Sequence, residues 1–184
     1  MLNLESKLIE KEVVPILTAL KSGNYIWNRL DCGKRELKRL EQKLSSHSFC
    51  GNLTQRCISR GLTVREKDYC KRVLQAQKYN LPLTLKKPED LDTVVKNLLQ
   101  SKFLELSYAE LYNGRKVLYC YSPDRYFGVH HWLAGCCFEN GIVKLLTVFF
   151  LFPGRRPLVN FLKAQKSKRN KVKTVLLHPF FPIL

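Results

Sequence analysis

The sequence predicts an α+β chain in three parts. Helices occupy residues 1–47, a core over 63–138 runs helix, helix, β-hairpin, and an extension over 139–184 is first apolar and then basic. Three observations carry this reading: a helix-period apolar series between Leu91 and Leu99, a capping-box quartet at Thr63–Glu66, and an Asn113-Gly114 pair between two alternating stretches. With 184 residues and 45% hydrophobic side chains, the chain is long enough to bury one substantial core.

Taken in order, Leu4, Leu8, Val13, Ile16, Leu17 and Leu20 recur at helical spacing, with Pro15 expected to kink or divide the helix. From Lys34 to about Ser46, Leu37, Leu40 and Leu44 share one face opposite a charged one, and the polar stretch 45–55 reads as a loop. At Thr63-Val-Arg-Glu66 the hydroxyl and carboxylate can satisfy amides left open in a first helical turn, so a helix is expected from Val64 to Lys78. Pro88, Glu89 and Asp90 suit another helix start, and Leu91, Val94, Val95, Leu98 and Leu99 then mark one buried face of a helix over 88–101.

Asn-Gly tolerates positive φ at both centres of a type I′ turn. A two-residue turn at Asn113-Gly114 sets Tyr112 opposite Arg115, Tyr108 opposite Tyr119 and Leu106 opposite Tyr121. Leu104, Leu106, Tyr108, Val117, Tyr119 and Tyr121 would then line a single buried face, with Arg115 and Lys116 at the tip. Helices followed by a basic-tipped hairpin, in VVKNLLQSKFLELSYAELYNGRKVLYCYSP, resemble the recognition helix, strand, wing and strand of the winged-helix superfamily over about residues 63–125. NLPLT and RKVLYCYSPDR add a looser similarity to the tandem winged-helix subunit of RNA polymerase III. The resemblance implies a winged-helix-like core that binds nucleic acid, with DNA the first expectation and RNA left open, Lys96, Asn97 and Gln100 of the recognition helix facing base edges and Arg115 and Lys116 facing phosphates. The acidic start at Glu89, Asp90 and Asp92 would repel phosphate there and suits docking to a protein equally well.

Charge points the same way. Thirty-two basic against fifteen acidic residues leave +17, and residues 140–184 hold nine basic and no acidic side chains. Such a tail favours a polyanion. Arg155, Arg156, Lys163, Lys166, Lys168, Arg169, Lys171 and Lys173 are the candidate phosphate contacts, and KSKRNKVK also resembles a nuclear-localisation segment. A nucleus-localised protein is expected, with the cytoplasm as the alternative; the N-terminal residues read neither as a secretory signal nor as a transit peptide. The longest apolar run, Ile142 to Phe152, contains Lys144 and is too short to span a bilayer.

His130-His131 and Cys136-Cys137 bring zinc-ligand types together, but adjacent pairs point to opposite faces of an extended segment, so no metal site is expected. The alternative is a strand over Trp132–Phe138 burying Trp132, one of the two cysteines and Phe138. Seven cysteines with no CxxC read as reduced thiols. No phosphate-binding or hydrolase motif is present, so no cofactor and no catalytic residue is expected. Glu139-Asn140-Gly141 offers a second turn, after which IVKLLTVFFLF returns as a buried strand or stands as an apolar interface. The leading expectation is therefore a non-catalytic nucleic-acid-associated protein of a nuclear assembly, and the alternative is a protein-interaction module or scaffold subunit of a larger complex.

Overall fold

The computed structural model describes residues 9–29, 63–110, 114–151, 158–167 and 173–177, with single positions 35, 38, 39 and 42. The helix expected over 34–46 thus falls almost wholly outside the described residues, as do the loop 45–55, Asn113, and the segments 152–157, 168–172 and 178–184. Helices and a mixed sheet are both present, and the chain is α+β.

A π-helical turn, Ile9–Val13, leads into helix α1, Val14–Ser22. Pro15 supplies no amide to the turn before it, which is where the regular i→i−4 ladder widens. Gly23, at φ 78°, ends the helix in the left-handed conformation that glycine adopts without a Cβ clash. Strand β1, Tyr25–Trp27, follows. Helix α2, Val64–Lys78, opens on the expected capping box: the Thr63 hydroxyl accepts from the Glu66 amide and the Glu66 carboxylate accepts from the Thr63 amide. Helix α3, Asp90–Gln100, buries the five expected side chains, Leu91, Val94, Val95, Leu98 and Leu99.

Strands β2 (Glu105–Glu110), β3 (Lys116–Ser122), β4 (Trp132–Glu139) and β5 (Ile142–Phe150) form an antiparallel meander. Helix α4, Leu158–Ser167, precedes β6, Lys173–Leu177. The six-stranded order is β1-β5-β4-β3-β2-β6, with β1 parallel to β5 and β6 antiparallel to β2. Segments at both ends of the chain therefore complete one sheet.

The main core lies on one face, where Val13 of the π-helical turn, Ile16 and Leu20 of α1 and the apolar side of α3 meet Leu106, Tyr108, Leu118, Cys120 and Trp132. A smaller core on the other face joins Leu158 and Leu162 of α4 to Ala109, Tyr121 and Leu133, with Tyr119 packed against it. Helix α2 packs along β5. Because β1 is only three residues long, the rest of the β5 edge needs another partner. Asp68 supplies it: its Oδ2 accepts from the Val148 amide at 2.9 Å and from the Thr147 hydroxyl at 3.0 Å.

The hairpin register corrects the sequence expectation. Glu110 pairs with Lys116, Tyr108 with Leu118 and Leu106 with Cys120, one residue away from the expected pairing. A slip of one residue exchanges faces. Tyr119 and Tyr121 consequently lie on the α4 side, opposite Leu106 and Tyr108, so the six side chains do not share one face. The single-face argument, and with it the winged-helix reading of the hairpin that rested on it, fails because β2 and β3 are inner strands of a six-stranded sheet covered on both sides, and alternation cannot fix register when both faces are apolar. Two further expectations at β4 and β5 divide: the Glu139–Gly141 turn returns a strand with Val143, Leu145, Val148 and Phe150 buried, whereas Phe138 is 52% exposed. A register shift between Gly135 and Cys136 interrupts the alternation on which the Phe138 expectation rested, and both Cys136 and Cys137 are buried. No helix among the described residues is long and apolar enough to cross a membrane.

Candidate functional site

Of the expected nucleic-acid contacts, Lys96 and Gln100 are exposed on α3 and Asn97 is partly buried. The Asn97 carbonyl accepts from the Tyr126 hydroxyl at 3.1 Å, which places the last turn of α3 over the segment that follows β3. Arg115 and Lys116 lie at the other end of that strand. Seven residues at about 3.3 Å each separate the two groups by roughly 20 Å. The sheet therefore does not gather them into one patch.

Both hairpin cations also have acidic neighbours. Arg115 Nε lies 2.6 Å from Glu139 Oε1, and Lys116 Nζ lies 2.8 Å from Glu12 Oε1. Lys163 is exposed on α4, Lys166 belongs to the same helix, and Lys173 opens β6. Arg155, Arg156, Lys168, Arg169 and Lys171 lie outside the described residues.

The acidic start of α3 is engaged internally. Asp90 Oδ2 accepts from the Lys86 and Lys87 amides at 2.8 and 3.1 Å. Asp92 Oδ1 accepts from Tyr25 Oη and Trp27 Nε1 at 2.5 and 2.8 Å, and its Oδ2 accepts from Arg65 Nη1 at 2.9 Å. This carboxylate joins β1, α2 and α3. Burial and the Asp92 hydrogen bond together push the Tyr25 phenol well above its ordinary pKa.

A second constellation surrounds the entrance to β4. Tyr126 and Val129 exchange backbone hydrogen bonds across Phe127 (φ 50°) and Gly128 (φ 89°). A Cβ on Gly128 would meet the Pro82 carbonyl oxygen at 1.8 Å, so the residue answers both to the left-handed backbone and to a close approach. Trp132 Nε1 donates to the carbonyls of Tyr126 and Val129, fixing the turn to the core. Between them His131 sits at φ 63°, a left-handed conformation costing a non-glycine residue about 1–2 kcal/mol. Its carbonyl accepts from the Leu151 amide at 2.8 Å, and its Nδ1 is 2.7 Å from Tyr121 Oη. The two rings are near-parallel, with centroids 6.0 Å apart, and meet edge to edge through that contact. Burial, aided by the neighbouring His130, pushes the His131 imidazole below its ordinary value. Burial pushes the Tyr121 phenol up to about 12, with Glu105 and Asp124 adding to it.

Beneath this turn Ser101, Ser122, Asp124 and Tyr126 share hydrogen bonds, including Ser101 Oγ to Asp124 Oδ2 at 2.6 Å and Ser122 Oγ to Ser101 Oγ at 2.8 Å. No group of three or more His, Cys, Asp or Glu side chains among the described residues could hold a metal ion. The described cysteines, Cys70, Cys120, Cys136 and Cys137, are buried. The hydrogen bond to Cys120 and burial hold the Cys136 thiol far above its ordinary pKa, and burial raises Cys137 as well, so neither presents a thiolate. The sequence marked His131 only as a member of a ligand-type cluster; its left-handed backbone and its tyrosine partner have no sequence signature.

Comparison with protein-family models, with curated proteins and with solved structures finds no match to this chain.

Proposed function

We propose that the chain is a non-catalytic, nucleic-acid-associated protein of a nuclear assembly, binding duplex DNA mainly through phosphate contacts. The observation that carries this reading is the combination of a +17 charge with carboxylates turned to internal use. Asp68, Asp90, Asp92 and Asp124 accept hydrogen bonds within the fold, and Glu12 and Glu139 pair with Lys116, Arg115 and Lys144. Meanwhile Lys78, Lys86, Lys87, Lys96, Lys102 and Lys163 are exposed. Among the described residues Glu89 and Glu110 are the exposed acids, so a polyanion meets more cations than anions there.

Lys96, Asn97 and Gln100 of α3 remain the candidates for base contact, with Lys96 and Gln100 exposed and Asn97 partly buried. Arg115 and Lys116 would have to exchange Glu139 and Glu12 for phosphate, so they add less than the C-terminal cations. With eight basic residues over 155–173 and half of them engaged, the slope of log K against log salt on B-DNA should change by about 3 to 4 when all eight become glutamine. Fluorescence anisotropy with duplex and single-stranded oligonucleotides over a salt series measures this. Weaker binding to every sequence with a flatter slope is expected; unchanged affinity and slope would exclude the C-terminal cations.

A second reading, a protein-interaction module in a larger complex, is favoured by Phe138 and Ile142, 52% and 45% exposed at the β4-β5 turn. If the intact protein shows no salt-sensitive binding to any nucleic acid, that reading takes precedence.

A further inference from the structure

A four-residue turn over 101–104 joins α3 to β2, closed by the Leu104 amide donating to the Ser101 carbonyl at 3.3 Å. Leu99 and Leu104 flank its centre and are buried, so the two central residues, Lys102 and Phe103, are left outside the core. Phe103 is 63% exposed, more than any other large apolar side chain among the described residues. Its backbone is nevertheless fixed. Ser101 Oγ accepts from the Phe103 amide at 3.1 Å and donates to Asp124 Oδ2 at 2.6 Å.

The Ser101–Asp124 bond brings the segment after β3 alongside the turn, and the Tyr126 hydroxyl, on the Asn97 carbonyl, holds that segment to the last turn of α3. Arg125 is exposed between these two anchors. Lys102 is next to the ring in sequence, and Gln100 and Lys96 are exposed one helical turn apart, roughly 6 Å along α3. Unlike Arg115 and Lys116, none of Lys96, Lys102 and Arg125 is held in an ion pair among the described residues. Of the two acids near the turn in sequence, Asp124 accepts from both Ser101 and Tyr126, and Glu105 is partly buried in β2. The surface around the ring is therefore cationic.

A protein interface would need contiguous apolar area here. The other exposed large apolar side chains among the described residues, Val14, Ile26, Tyr79, Phe138 and Ile142, belong neither to α3 nor to this turn nor to the segment 123–129. One aromatic face set among unpaired cations matches a base with its flanking phosphates, and only an unpaired base has a face free to stack on it.

We propose that Phe103 is a stacking platform for an unpaired nucleobase, with Lys102 and Arg125 meeting the phosphates on either side of that base and Lys96 and Gln100 extending the path along α3. The inference rests on the nucleic-acid reading above and deepens it: the preferred ligand is a duplex that continues into a single strand.

The test uses the full chain, a blunt DNA duplex, and the same duplex with a single-stranded extension carrying 2-aminopurine, whose fluorescence falls when it stacks. The extended duplex should bind about tenfold more tightly than the blunt one, with saturable quenching. Phe103→Ala should remove that advantage and the quenching while leaving affinity for the blunt duplex and the melting temperature in place. Phe103→Leu, apolar without a π face, should lose as much, and Phe103→Trp should retain both. Lys102→Gln and Arg125→Gln should each flatten the salt slope for the extended duplex by about 0.7. A ribonucleotide extension run in parallel separates the two sources of the base, the tighter of the two naming the strand. Saturable quenching lost in Phe103→Ala, in a protein whose blunt-duplex binding ignores salt, would keep this site and remove the duplex reading. Equal affinity for blunt and extended duplexes, or quenching unaltered in Phe103→Ala or Phe103→Leu, would overturn the proposal.

Discussion

Asp68 stands where an edge strand stops. It is 3% exposed, and one carboxylate oxygen takes both the Val148 amide and the Thr147 hydroxyl. Burial pushes this carboxyl above its ordinary range, and the Arg72 guanidinium and the Val148 amide offset that only in part. A carboxyl with a higher pKa in the folded state binds more protons there than in the unfolded chain. Its contribution to stability is therefore full below the unfolded value, about 3.9, and is lost as pH rises through the folded value. This is opposite in sign to the usual salt-bridged aspartate. Asp68→Asn retains an acceptor oxygen for Val148 and removes the titration. Urea unfolding across the acid range should show the native protein losing stability relative to the variant as pH rises from about 4. A native protein that gains on the variant over that range would show that Asp68 is ionised and net stabilised by Arg72.

At the scale of elements, the helices were the legible part because their signals are local. The Thr63–Glu66 quartet is four consecutive residues, and both of its reciprocal hydrogen bonds are present. Thr63→Ala removes one of them and should cost about 1 kcal/mol in chemical denaturation, with the denaturant slope unchanged; a loss below a few tenths would mean that water or another group replaces the hydroxyl. The five apolar positions of α3 were equally plain, since they repeat within a single helix. The strands were legible as strands and not in their pairing. Leu106 and Tyr108 face α1 and α3 while Tyr119 and Tyr121 face α4, and nothing in the alternation of β2 and β3 distinguishes two covered faces from one. Strand β1 has three residues, too few for a period. The candidate site was legible in its exposed lysines but not in its carboxylates. Asp92 reads as a groove-facing anion until Tyr25, 67 residues away, and Arg65, 27 residues away, are brought to it.

Across the whole molecule, the decisive fact is that β1 and β6, from opposite ends of the described chain, form the two edges of the sheet. Strand β6 pairs along Leu106–Glu110 and so occupies the edge that β2 would otherwise expose. Leu158 and Leu162 of α4 are 0% and 2% exposed, and they cover the face that carries Tyr121 and Leu133, beside Tyr119 and Phe149. Burying each leucine is worth about 1.5–3 kcal/mol, so the pair alone represents a large share of the roughly 5–15 kcal/mol that holds a domain together. The basic segment is thus carried between structural elements, and removing it whole would confound charge with folding. A chain ending at Leu151 should bare an apolar face and an unpaired strand edge together, the combination that promotes edge-to-edge association. Size-exclusion chromatography with light scattering should find that truncated chain in species larger than a monomer, or a thermal melt should find it without a cooperative transition. The full chain carrying eight glutamines in place of its 155–173 cations should instead keep the oligomeric state and melting behaviour of the native protein. If the truncated chain stays monomeric with an unchanged Tm, α4 and β6 contribute nothing to the stability of the sheet and the C-terminal quarter is an appendage after all.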